Sequence, residues 1–197
     1  MSIYEFTLNI GNINITNDND LLDVSRKLYE GACSDAVVMS VDEMLYIEFE
    51  REAGTFVQAV TQAIKDVESV EGYDLQVISI EGDLVSLGEA AEFTGVKKST
   101  LAKYKKGTFG GGGFPVPVRK ASKKDPLWRL SDIADWLYKK NKVAMELVER
   151  ARLMDVINHH LETRLMKNSD KYANLFINIQ TNLIIPIKSQ LPSAYSW

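Results

Sequence analysis

Lys97, Lys98, Ser99, Thr100, Lys103, Lys105 and Lys106 fall within ten consecutive residues of this chain. Ammonium groups and hydroxyls at such density neutralise phosphates and hydrogen-bond base edges; they do not by themselves make or break covalent bonds. If 97–106 is a helix with Leu101 and Tyr104 turned inward, a step of about 100° per residue puts Ser99, Lys103 and Lys106 on the opposite face. Those three suit the floor of a groove. Lys97, Lys98, Thr100 and Lys105 then lie on the flanks, where phosphates run. A second basic group, Arg119, Lys120, Lys123 and Lys124, surrounds a turn and would reach an adjacent groove or its phosphates.

Other residue sets offer less chemistry. Cys33 is the one cysteine, has no evident His partner, and reads as a small buried residue in a reducing compartment. His159 and His160 are adjacent, so on a helix they point about 100° apart and share one ion poorly. Glu48, Glu50 and Glu52 alternate along a strand and read as its solvent face. The run Gly110-Gly111-Gly112-Gly113 lacks the Gly-Lys-Ser/Thr ending of a nucleotide-binding loop. It reads as a flexible approach to the basic turn, the alternative being a place where backbone N–H groups come close to phosphate. No catalytic residue, metal or cofactor is expected, and the chain is not expected to be an enzyme.

The elements that must carry the lysines are legible. Residues 84–93 have the pattern of a short helix, with Ser86 and Glu89 spaced for a capping box. Gly95 supplies a tight turn, and 97–106 continues as a second helix. Beyond the glycines, 114–120 reads as an edge strand, because Pro115 and Pro117 remove ladder donors. Leu127-Trp128-Arg129-Leu130 should pair back to it, with Trp128 a buried anchor. Ser131 is expected to cap a helix through Ile133, Trp136 and Leu137. Together these make a winged helix-turn-helix over 84–142, whose second helix would enter the major groove.

Charge supports this division. Residues 84–142 carry thirteen Lys and Arg against five Asp and Glu, whereas 1–83 carry four against seventeen. The net charge of −4 therefore hides a basic module inside an acidic chain.

Residues 1–83 alternate strand (3–10), helix (20–30), strand (36–41), strand (44–50), helix (55–69) and strand (73–80). That βαββαβ order is expected to give a ferredoxin-like domain, an antiparallel sheet with two helices on one face. The fold class is thus α+β. Residues 143–197 read as two amphipathic helices in a C-terminal helical hairpin, one carrying Leu147, Ala151, Met154, Ile157, Leu161 and Leu165, the next Tyr172, Leu175, Phe176, Ile179 and Leu183. The hairpin either packs on its own chain or joins a second copy. No apolar run approaches the length of a membrane span, and the N-terminus has no signal-peptide pattern, so a cytoplasmic protein with no membrane partner is expected.

Over residues 3–142 the chain resembles bacterial winged helix-turn-helix DNA-binding proteins of the excisionase and MerR type, with an N-terminal ferredoxin-like domain. The resemblance rests on Cys33-Ser34-Asp35-Ala36, Phe49-Glu50-Arg51-Glu52-Ala53, Leu84-Val85-Ser86-Leu87, Gly113-Phe114-Pro115-Val116-Pro117-Val118 and Leu127-Trp128-Arg129-Leu130. Lys97 departs from it, standing where a capping serine is common, and residues 143–197 lie outside it. The resemblance implies a sequence-specific DNA-binding protein acting in transcription regulation on double-stranded DNA, and no particular operator. A homodimer is expected, since one such module covers only a short half-site. Two alternatives remain open: an antitoxin or accessory protein of a mobile element that binds a protein partner, and a small-molecule-sensing regulator.

Overall fold

In a computed structural model, the chain is mixed α+β with an antiparallel sheet at its N-terminal end. The structure describes residues 1–121, 124–169, 172–175 and 179. One compact unit covers Met1–Leu161 and a second covers Glu162–Trp197.

The elements of the acidic segment are β1 (Ser2–Ile10), α1 (Asp18–Glu30), β2 (Ala36–Val41), β3 (Met44–Ala53), α2 (Phe56–Glu68) and β4 (Val77–Ile80). The four strands form one sheet in the order β2-β3-β1-β4, every pair antiparallel. Period-two alternation builds its inner face. Phe6, Leu8 and Ile10 of β1 and Leu45, Ile47 and Phe49 of β3 are buried. Val24 and Leu28 of α1, and Ala59, Val60, Ala63 and Val67 of α2, close over that face.

Local chemistry moves several boundaries from their expected places. Helix α1 starts at 18 because the side chain of Asn17 accepts from the N–H groups of Asn19 and Asp20 at 3.0 and 3.1 Å. Thr55 caps α2 by accepting from the Gln58 N–H at 3.2 Å. Strand β3 runs on to Ala53 because Ala53 still faces Ser2 of β1. Strand β4 is shorter than the expected 73–80. Asn12 takes the groups a ladder would have used: its side chain accepts from the Gln76 N–H at 2.8 Å and donates to the Asp74 carbonyl.

The basic segment holds β5 (Leu84–Val85), α3 (Leu87–Thr94), α4 (Lys98–Lys105), β6 (Trp128–Arg129) and α5 (Leu130–Tyr138), and α6 (Met145–Asn168) follows. Two expectations need correction. Leu84 and Val85 belong to no helix; they pair with Arg129 and Trp128 as a two-stranded sheet. Residues 114–120 form no strand, and a single bridge, Arg119 to Leu127, replaces the wing hairpin. The strand that pairs with 128–129 therefore comes from before α3 and α4. Pro115 and Pro117 could not have supplied a continuous ladder.

The expected cap of α5 also differs. Arg129 occupies the cap position, and the Ser131 hydroxyl donates instead to Asp155 on α6. Helix α6 buries Val148, Ala151, Met154, Asn158 and Leu161, a face one residue removed from Leu147 and Ile157 at two positions. Asn158 hydrogen-bonds the backbone of Ile80, accepting from its N–H at 2.7 Å and donating to its carbonyl at 2.8 Å. Most of the second helix expected in the tail, with Phe176 and Leu183, lies outside the described residues. Among the described residues, no helix is long and apolar enough to cross a membrane.

Candidate nucleic-acid interface

Helix α3 begins on the expected capping box. The Ser86 side chain accepts from the Glu89 N–H at 3.3 Å, and the Glu89 carboxylate accepts from the Ser86 N–H at 2.6 Å. The helix ends at Gly95, whose φ of 67° is left-handed, which a glycine adopts without a Cβ penalty. Thr94 completes this end: its hydroxyl donates to the Ala90 carbonyl at 2.6 Å and accepts from the Val96 N–H at 3.3 Å. Lys97 stands at the start of α4 without a side-chain cap.

Leu101 and Tyr104 anchor α4 inward, with 0% and 3% of their surface exposed. On the other side Lys98, Ser99, Lys103, Lys105 and Lys106 are exposed, Lys97 is exposed at the helix start, and Thr100 is half-buried. The Lys105 ammonium lies 5.0 Å from the centre of the Trp128 ring, so it packs against the first residue of β6. Arg119, Lys120 and Lys124 are exposed on the loop that the Arg119–Leu127 bridge closes. Lys123 lies outside the described residues.

The glycine run is held in place by aromatic side chains that composition alone did not connect. Tyr104, Phe109, Phe114 and Trp136 pack together, with ring centres 4.8 to 6.5 Å apart. Gly110 has φ of +82°, and a Cβ there would sit 2.6 Å from the Tyr104 ring. The indole of Trp136 donates to the Gly112 carbonyl at 3.3 Å, and that of Trp128 to the Pro115 carbonyl at 3.0 Å. Trp128, 1% exposed, is thus the buried anchor its sequence neighbours indicated. Lys140, not singled out from sequence, lies 4.8 Å over the Trp136 ring and adds a cation beside the glycines.

Helix α6 braces this module. Asp155 accepts from Arg129 at 3.1 Å and from the Ser131 hydroxyl, and Asp135 of α5 accepts from Arg152 at 2.8 Å.

Burial pushes the Cys33 thiol up to about 11, which leaves it protonated and unreactive near neutral pH. Its neighbour Arg51, 7% exposed, makes two bonds to Asp35 at 2.7 and 2.9 Å, one to Asp66 at 2.6 Å and one to the Ala32 carbonyl at 3.1 Å. Those bonds hold the Asp35 carboxyl below its usual range. Glu48, Glu50 and Glu52 are exposed, as are His159 and His160. Among the described residues no group of three or more His, Cys, Asp and Glu side chains could hold a metal ion. A cleft of about 500 Å³ opens beside Tyr4, Phe56, Glu149, Arg150 and Leu153, and none of the candidate residues of 97–106 or 119–124 lines it.

The chain matches no protein-family model, no curated protein and no solved structure.

Proposed function

We propose that this chain is a sequence-specific DNA-binding protein that regulates transcription, and that it reads double-stranded DNA through α4. The observation that carries the reading is the two-sidedness of α4. Leu101 and Tyr104 are buried, while Ser99, Lys103 and Lys106 stand exposed on the opposite face. A helix so placed, after a capped first helix and a left-handed glycine turn, is the arrangement that delivers side chains to the major groove.

In this reading, residues 1–83 are a ferredoxin-like domain, supported by the element order βαββαβ and the strand order β2-β3-β1-β4. Residues 84–142 are a winged helix-turn-helix of the excisionase and MerR type whose wing is a basic loop. Lys97, Lys98, Thr100, Lys105, Arg119, Lys120, Lys123 and Lys124 contact phosphate, and Ser99, Lys103 and Lys106 contact bases. The protein works without a cofactor and is no enzyme.

A gel-shift titration of the full chain against genomic fragments tests this. If the basic face neutralises about six phosphates, log affinity falls against log salt with a slope near −5. Absence of binding at low salt refutes the reading.

A further inference from the structure

We propose that the free edge of β2 is a self-association surface, on which a second copy of this chain adds its own β2 antiparallel about a two-fold axis at Met39. This rests on the sheet alone and does not depend on DNA binding.

The sheet has two edges, and they are treated differently. At β4 the outward backbone of Ile80 is closed by Asn158, whose amide bonds both its N–H and its carbonyl. Among the described residues nothing equivalent covers β2. Asp42 and Glu43, with φ of 51° and 66°, make the two-residue turn of a tight hairpin between β2 and β3. Val41 and Met44 are then a hydrogen-bonded pair, and by alternation so are Met39 with Tyr46 and Val37 with Glu48. The N–H and carbonyl groups of Val38 and Ser40 therefore point away from β3. They have no backbone partner among the described residues.

Exposed edges are ordinarily blunted by charge, proline or a bulge. Strand β2, Ala-Val-Val-Met-Ser-Val, has no ionisable residue and no proline, and its pairing with β3 runs without a register shift. It lies in a segment with seventeen acidic side chains against four basic ones. Two such segments repel across most of their surfaces, and a neutral strip lets them approach.

Apolar surface flanks the edge on both faces. Val37 and Val41 are 62% and 54% exposed on the outer face. On the inner face α1 packs against β2, and its Leu22 and Tyr29, one heptad apart, are each 67% exposed. The other flank of α1 is turned to α2: Lys27 shares a cleft with Asp66 and Val70, and Tyr73 donates to Asp23 at 2.7 Å. Leu22 and Tyr29 therefore lie on the flank nearer the β2 edge.

A second copy is the occupant that fits because the strand is self-complementary. Val38 and Ser40 are symmetric about Met39, so an antiparallel copy sets Ser40 opposite Val38 and Val38 opposite Ser40. Each outward N–H meets an outward carbonyl. Val37 of one copy faces Val41 of the other, and the two Met39 side chains meet at the axis.

The cross-strand pair makes the register testable in the full chain by sedimentation velocity, with circular dichroism to verify folding. Wild-type protein is a dimer at tens of micromolar. Val41→Glu, which sets a carboxylate against Val37 of the other copy, weakens association by about tenfold or more, and Val37→Lys acts likewise. The double variant V37K/V41E sets lysine against glutamate twice per dimer and recovers the dimer. A monomeric wild type overturns the proposal, as do single variants that dimerise like wild type. Loss in both single variants without recovery in the double overturns the register and hence the axis at Met39. Variants in the basic module leave this readout unchanged, so failure here is distinct from failure to bind DNA.

Discussion

At Arg51 a single side chain joins three parts of the acidic segment: the 32–35 turn, β3 and α2. Arg51 is 7% exposed and its guanidinium is hydrogen-bonded to Asp35, Asp66 and Ala32, so it is a buried charge tolerable only with its partners in place. Asp35, whose carboxyl these bonds hold below its usual range, contributes stability above the unfolded pKa of about 3.9. That contribution is lost as pH falls through the depressed folded value. We expect Asp35→Asn to cost about 1–2 kcal/mol at pH 7. The gap to wild type should close in urea titrations as pH drops below the ordinary carboxylate range. A gap independent of pH would mean that packing, not charge, is what Asp35 supplies. In the proposed DNA-binding reading, the exposed basic and hydroxyl residues divide by role. Lys103→Ala and Ser99→Ala should change sequence preference by about 1–3 kcal/mol per contacted base, whereas Lys124→Ala weakens binding on all sequences alike. Selection from random DNA separates the two, and a uniform loss in all three variants would show the reading face to be elsewhere.

Elements depend on glycines in two different ways. Gly95 and Gly110 both have positive φ, 67° and 82°. A Cβ at Gly95 meets nothing within 4 Å, so Gly95→Ala costs only the left-handed backbone penalty of about 1–2 kcal/mol. At Gly110 the same Cβ lies 2.6 Å from Tyr104 and 3.2 Å from Trp136. Gly110→Ala should therefore cost clearly more and disturb the aromatic near-ultraviolet signal. Equal losses in thermal unfolding would mean that the glycine run yields without moving the rings. The capping box and the αL turn at Gly95 were legible because they are local, set by residues within a few positions of each other. The aromatic clasp was not, since it joins 104, 109, 114 and 136 through tertiary packing.

For the whole molecule, the decisive element is α6. Its Val148, Ala151, Met154 and Leu161 are buried, and Asp155, Arg152 and Asn158 bond α5, β6 and β4. Removing it exposes the apolar surface that those four side chains cover and uncaps the β4 edge. A chain ending at Lys142 should lose at least about 5 kcal/mol, comparable to the stability of a small domain. Urea unfolding and dye binding measure this; a truncated chain with wild-type stability would show that α6 only rests on the surface.

The amino-acid sequence by itself determined the element order of residues 1–83, the bounds of β2, the capped α3 with its glycine turn, and the division into acidic and basic segments. Each follows from nearest-neighbour chemistry or from a repeat of two or three to four residues. Tertiary structure alone decided the rest. Leu84 and Val85 pair with Trp128 and Arg129 across more than forty residues, a choice that no local pattern encodes. Ser131 serves Asp155 rather than its own helix, and Asn158 closes one sheet edge while no described residue closes the other. Backbone groups left over by one element must be met by whichever distant side chain the fold brings within reach. That partner becomes visible only once the chain has folded.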